Sequence, residues 1–168
     1  MNIYRSVILL CVFFVCYHQC VGKTKSDKQI TDTAASSMYE KLDNYLHALS
    51  STLSVKNYDA IIYLSDGECL SCTKSFSDFI CQHILNESRM LIILNAKGEQ
   101  FNTSPYLSDT VKNVVTDYSN DFFRLKIASS RISIIILKEN GIDIYPVKLE
   151  TLSDQMALLA RMKYRKKK

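Results

Sequence analysis

Apolar positions along this chain fall into helical stripes separated by short, continuous apolar runs. Met38, Leu42, Tyr45, Leu46, Leu49 and Leu53 recur at intervals of three and four, which places them on one stripe of an amphipathic helix over residues 33–53. Residues 58–65 (YDAIIYLS) form a β-rich apolar run closed by Asp66-Gly67, the pattern of a buried strand ending in a turn. Phe76, Phe79, Ile80 and Ile84 return to helical spacing and predict a helix over 70–86, followed by a second buried strand at 90–94 (MLIIL). Residues 95–106 are polar, with Gly98 and Pro105, and read as a loop. Leu107, Val111, Val114, Val115, Tyr118 and Phe122 then outline a helix beginning near Ser104. A third strand is predicted at 132–137 (ISIIIL). The turn Lys138-Glu139-Asn140-Gly141 sends the chain back as a fourth strand over 142–149, and a short helix over 152–162 ends the pattern.

The order helix, strand, helix, strand, helix, strand, strand, helix predicts an α/β domain built on a central mixed sheet flanked by helices. In this reading the first three strands are parallel, joined by helical crossovers, and a C-terminal antiparallel hairpin closes one edge. Runs apolar on both faces, such as ISIIIL, suit central strands covered from both sides. Among the 10 tyrosines, Tyr39, Tyr45, Tyr58, Tyr63 and Tyr118 recur on faces predicted to be buried, so they are assigned to core packing.

The ends of the chain differ from its body. Arg5 precedes the apolar run 7–17 (VILLCVFFVCY), the length of a signal-peptide core and short of the roughly 20 residues that a spanning helix needs. Cys20 and Gly22 are small residues three and one before Lys23, so residues 1–22 read as a cleaved signal peptide. The competing reading is a lipid anchor at Cys20, against which Gln19 stands where a lipobox carries a small residue. Residues 23–33 (KTKSDKQITDT) are polar and aperiodic, a flexible leader, and the domain is expected over 34–162. With 168 residues there is room for one core beyond the targeting segment. The formal charge of +4 is misleading. Arg161, Lys163, Arg165, Lys166, Lys167 and Lys168 lie in the last eight residues, and the body is mildly acidic. The segment 163–168 reads as a solvated basic tail, with peripheral contact to an anionic membrane surface as the functional alternative. No base-reading motif or aromatic ladder accompanies it, so nucleic acid is not an expected partner.

If the signal is removed, Cys69, Cys72 and Cys81 remain. The pair Cys69-Leu70-Ser71-Cys72 sits where strand 58–65 gives way to a helix. With that placement, and with the Lys138-Glu139-Asn140-Gly141 turn between two later strands, the chain resembles the thioredoxin-like superfamily over about 38–162. The resemblance implies a thioredoxin-like fold with Cys69 as attacking thiolate, favoured by the helix N-terminus, and Cys72 as resolving thiol. The chain departs from the family's pattern at three places. The position of the family's cis-proline falls at Ile132 or among Ser129, Ser130 and Arg131. Tyr63 stands six residues before Cys69, where thioredoxins carry a buried carboxylate. Glu68 precedes the pair and opposes a lowered thiol pKa.

With the signal peptide, the resemblance implies an exported thiol:disulfide oxidoreductase of the periplasm or cell envelope, exchanging disulfides with protein thiols, or with an envelope redox partner, through Cys69 and Cys72, with no bound cofactor. The alternative is a non-catalytic thioredoxin-fold module that binds another envelope protein and keeps the cysteines as a structural tie or a vestigial pair. Metal binding is disfavoured, because Cys81 and His83 lie two or more helical turns beyond Cys72, too far for one tetrahedral site. Cys81 itself falls beside the Phe79 and Ile80 stripe, as a small core residue would.

Overall fold

The computed structural model describes residues 26–65, 70–95, 103–128, 130–139 and 141–165. Among the described residues, helices α1 (Ser26–Leu49), α2 (Leu70–His83), α3 (Asp121–Arg124) and α4 (Leu152–Arg165) surround strands β1 (Ala60–Leu64), β2 (Met90–Asn95), β3 (Val114–Asp117), β4 (Ile132–Lys138) and β5 (Gly141–Pro146). The strands form one mixed sheet in the order β3-β2-β1-β4-β5. This is the helix-flanked α/β architecture of the thioredoxin-like resemblance.

Side-chain alternation divides the core into two layers, one on each face of the sheet. Ala60, Ile62 and Leu64 of β1, with Ile92 of β2 and Ile134 of β4, pack against Phe76 and Ile80 of α2, Ile84 just beyond it, and Leu159 of α4. Their neighbours Ile61, Tyr63, Leu91, Ile93 and Ile135 pack on the other face against Leu42, Tyr45 and Leu46 of α1 and Phe122 of α3. Burial on both faces is why β1, β2 and the first half of β4 read as unbroken apolar runs instead of alternating ones.

Two expectations are corrected here. The helix expected from Ser104 to Phe122 is replaced by a single 3-10 turn at Ser104–Tyr106, strand β3, and the one-turn helix α3. Asn113 drives the change. Buried just before β3, its side-chain amide donates to the carbonyls of Ile84, Glu87 and Met90, and its oxygen accepts from Asn86 N–H at 3.0 Å. This clamp delivers the β-branched Val114 and Val115 to the free edge of β2, where they extend the ladder in parallel register. Leu107 and Tyr118, both assigned to the buried stripe, are consequently exposed, at 61% and 75%.

The second correction is to strand direction. β1 is parallel to β2, and β2 to β3, but β4 runs antiparallel to β1, pairing Ile134 with Ile62. The segment after β2 has already returned to the start of the sheet in order to enter β3 in parallel. Climbing β3 brings the chain back to the far end, so β4 must descend. The hairpin to β5 is as expected, with Lys138 opposite Gly141 at φ 151°, a backbone closed to most residues with a side chain.

The outer helices also have different limits. Helix α1 begins at Ser26, inside the stretch 23–33 read as a leader, and stops at Leu49, leaving Leu53 buried in the following loop. Helix α4 runs to Arg165. Lys163, read as part of a solvated tail, instead bonds the His83 carbonyl at 2.6 Å and Glu87 at 2.8 Å, tying α4 to the end of α2.

Candidate functional site

The parallel strands β1, β2 and β3 all end at the same edge of the sheet, where β4 begins and β5 finishes. In α/β sheets this carboxyl edge is the usual place for a site. Helix α2 starts there, and Cys72, its third residue, is 2% exposed. Cys72 is disulfide-bonded. The other cysteine among the described residues, Cys81, is free, half-buried, and packed against the α2 and α4 side of the core. Cys69 lies outside the described residues, as do Asp66, Gly67 and Glu68. No group of three or more His, Cys, Asp or Glu that could hold a metal ion occurs among the described residues.

Cys72 forms one wall of a cleft of about 550 Å³, completed by Phe123, residues 130–132 and residues 146–150. The stretch 130–133, where the resemblance would place a cis-proline, is held by two side-chain hydrogen bonds and one backbone hydrogen bond. Ser130 donates to the Ile132 carbonyl at 2.9 Å, Ser133 donates to the Ser130 carbonyl at 3.0 Å, and Val147 N–H donates to the Ile132 carbonyl at 2.9 Å. Every described peptide bond is trans. Pro146 faces Ser133 at the end of the edge strand β5, a place that tolerates its missing N–H, and Gln155 of α4 donates to its carbonyl at 2.7 Å. Three elements therefore fix the wall opposite Cys72.

Phe123 is positioned from behind by a buried polar network. Tyr63 is fully buried on the α1 face of the sheet, stacks on Phe122 with centroids 3.9 Å apart, and meets Phe123 edge-on at 5.6 Å. The Tyr63 hydroxyl and the Asn95 amide both donate to Asn120 Oδ1, at 3.2 and 2.6 Å. Asn120 adopts φ 60°, and Lys126 beyond the helix adopts φ 54°, so α3 is bracketed by two left-handed residues, each costing about 1 kcal/mol or more. Asp117 holds this turn together. Its buried carboxylate accepts from Tyr45 Oη at 2.9 Å, Phe122 N–H at 3.1 Å, Asp121 N–H at 3.2 Å and Ser119 Oγ at 3.1 Å. Burial pushes the Asp117 carboxyl up, but these four donors outweigh it and hold the group below the usual carboxylate range. The Tyr63 hydroxyl moves the other way, raised well above its ordinary value chiefly by burial. It stays protonated and cannot serve as a base.

No family model matches the chain. No curated protein matches it either. A solved structure is similar: the crystal structure of the pneumococcal exposed lipoprotein thioredoxin from Streptococcus pneumoniae strain TIGR4, at 19% identity over 61% of this chain and 90% of that one, with a TM-score of 0.35. A likeness of that size carries no argument about this chain.

Of the two cysteines named from sequence, the structure therefore places Cys72, at a helix start and in a cleft. Residues 146–150 and Phe123 escaped sequence reading. Pro146, one of only two prolines, ends an edge strand and so offered a local signal. Phe123 offered none, because its role depends on a network of residues distant in sequence.

Proposed function

We propose that the chain is an exported thiol:disulfide oxidoreductase working through Cys69 and Cys72. The observation that carries this reading is Cys72 itself: disulfide-bonded, in the first turn of α2, and forming the wall of an open cleft instead of a sealed core. At 2% exposure the Cys72 sulfur is not the one a partner protein meets, so Cys69 takes the intermolecular role. In the reductive direction the Cys69 thiolate attacks a partner disulfide, forming the Cys69–partner bond and releasing one partner thiolate. The Cys72 thiolate then attacks the Cys69 sulfur and releases the second. Two electrons pass to the partner, and the pair is left oxidised. The reverse sequence oxidises a partner dithiol. The N-terminus of α2 favours the Cys69 thiolate through its oriented peptide dipoles.

Export rests on residues 1–22, which lie outside the described residues. Among those described, no helix is long and apolar enough to cross a membrane. An N-terminus at Lys23 in the protein recovered from its host is the expected result, and a lipid-modified Cys20 would replace the signal reading with an anchor.

The function is tested by redox titration of the purified protein against glutathione buffers, with free thiols trapped by a mass tag and Cys69→Ser as control. A reversible two-electron transition between about −120 and −270 mV, absent in Cys69→Ser, is expected. A pair still oxidised below about −300 mV would sink the exchange reading and leave a binding module with a structural disulfide.

A further inference from the structure

The cleft beside Cys72 does not stand alone. A second recess of about 470 Å³ adjoins it, and the two share Phe123, Ser130 and Pro146 as a common wall. The second recess is lined mainly by apolar side chains, with Ile127, Ala128 and Ile144 among them and Lys126 at its rim. Together the recesses make a groove along the carboxyl edge of the sheet, leading from Cys72 past Pro146 to Ser133 and Ile144 at the open end of the β4–β5 hairpin. Leu149 stands on its margin, 64% exposed.

The described lining of the groove is net positive, opposite in sign to the chain body outside the basic C-terminal segment. Lys126, Arg131 and Lys148 line it, against Glu150 as the single carboxylate among its described lining residues. Outside its last eight residues the whole chain carries more acidic than basic side chains. Neither Lys126 nor Lys148 forms an ion pair among the described residues. Exposed cations around an apolar floor recognise a partner of opposite charge, and they act through encounter and orientation more than through net affinity.

We propose that this groove selects the exchange partner by charge: it docks an extended polypeptide segment whose cysteine is flanked by carboxylate side chains, with an apolar side chain seated in the recess beside Ile127 and Ile144. The proposal builds on the disulfide-exchange reading, because it names the substrate class of that site. Arg131 and Lys148 face the segment next to its cysteine. Lys126 faces it beyond Pro146.

The test separates the two readings. Fluorescent ten-residue peptides of one framework are made with acidic, neutral or basic flanks, each in a cysteine form and a serine form. Binding of the serine forms to the purified protein is followed by anisotropy, and exchange by the cysteine forms by thiol trapping. The acidic serine peptide is expected to bind about tenfold tighter than the basic one, with the ratio shrinking as salt is raised. The double variant Arg131→Gln and Lys148→Gln should bring the ratio within about twofold, while thermal unfolding shows that it remains folded. Replacing the apolar residue of the acidic peptide by glycine should weaken binding about fivefold or more. Selective binding of serine peptides without any exchange would leave the groove standing and overturn the oxidoreductase. Exchange with all three charge types at equal rates would do the opposite. Equal binding of the glycine-substituted peptide, or of polyglutamate, would overturn the docking proposal in favour of unspecific attraction to polyanions.

Discussion

Asp117 offers the most demanding check on the way this fold is held. It is fully buried, yet all four of its hydrogen bonds are made within or next to the turn that places Phe123 in the cleft. Asp117→Ala leaves the Phe122 and Asp121 amides and the Tyr45 hydroxyl without their acceptor, and removes what is in effect the cap of α3. Unsatisfied buried donors cost about 1–3 kcal/mol each and a lost cap about 0.5–2, and these terms overlap, so a loss of about 3–5 kcal/mol is expected. For a domain of this size that lowers the melting temperature by about 10–20 °C. Asp117→Asn keeps the shape but turns an amide toward donors, and should cost about 2–3 kcal/mol.

The pH dependence carries the sharper test. The folded-state pKa of Asp117 lies below its ordinary value of 3.8, so ionisation contributes stability that is fully present above that value and is lost as pH falls through the folded pKa. Urea unfolding of the native protein and of Asp117→Asn, followed by circular dichroism, should show a gap that is flat from pH 7 to about 5 and narrows below about 4. The other carboxylates titrate in both proteins, so the difference isolates this one. A gap under about 0.5 kcal/mol at pH 7, or one that widens on acidification, would refute the assignment of Asp117 as the ionised anchor of the turn.

The remaining predictions concern the clamp, the helix tie and the ring stack. Asn113→Ala should cost about 2–3 kcal/mol in chemical unfolding, because three carbonyls and one amide lose their partner together, and a cost below about 1 kcal/mol would show that β3 docks without it. Lys163→Met should lower stability by about 1 kcal/mol at low ionic strength, and the part due to Glu87 should fade in about 0.5 M salt; no change at low salt would show that α4 docks by its apolar face alone. Tyr63→Phe keeps the stack on Phe122 and loses the bond to Asn120, so it should cost about 1 kcal/mol, whereas Tyr63→Ala should cost about 3–5 by opening a cavity under Phe122; equal costs would place the value of Tyr63 in its hydroxyl.

Sequence alone determined the elements whose evidence is local. The apolar runs of β1, β2 and β4 are legible because a strand covered on both faces has no alternation to hide. The stripe Leu42, Tyr45 and Leu46 marks α1, Phe76, Ile80 and Ile84 mark α2 and the end just beyond it, and a glycine marks the return into β5. Cys72 at a helix start was likewise readable, since a strand, a turn and a helix in succession fix where the sulfur sits.

What tertiary structure decided is where equal local signals compete. Val111, Val114 and Val115 fit a helical stripe as well as a strand, and the choice fell to Asn113, whose carbonyl partners are 23–29 residues away. Once β3 takes the free edge of β2, the direction of β4 follows from chain connectivity, which no hydrophobic pattern records. The cleft has the same origin. Its opposing wall is assembled from residues 130–132 and 146–150, joined by strand pairing, and Phe123 is held there by Tyr63, Asn120 and Asp117 from three different elements. Propensity and periodicity act over a few residues, whereas burying a carboxylate or shaping a groove requires donors and surfaces that only the folded chain brings together.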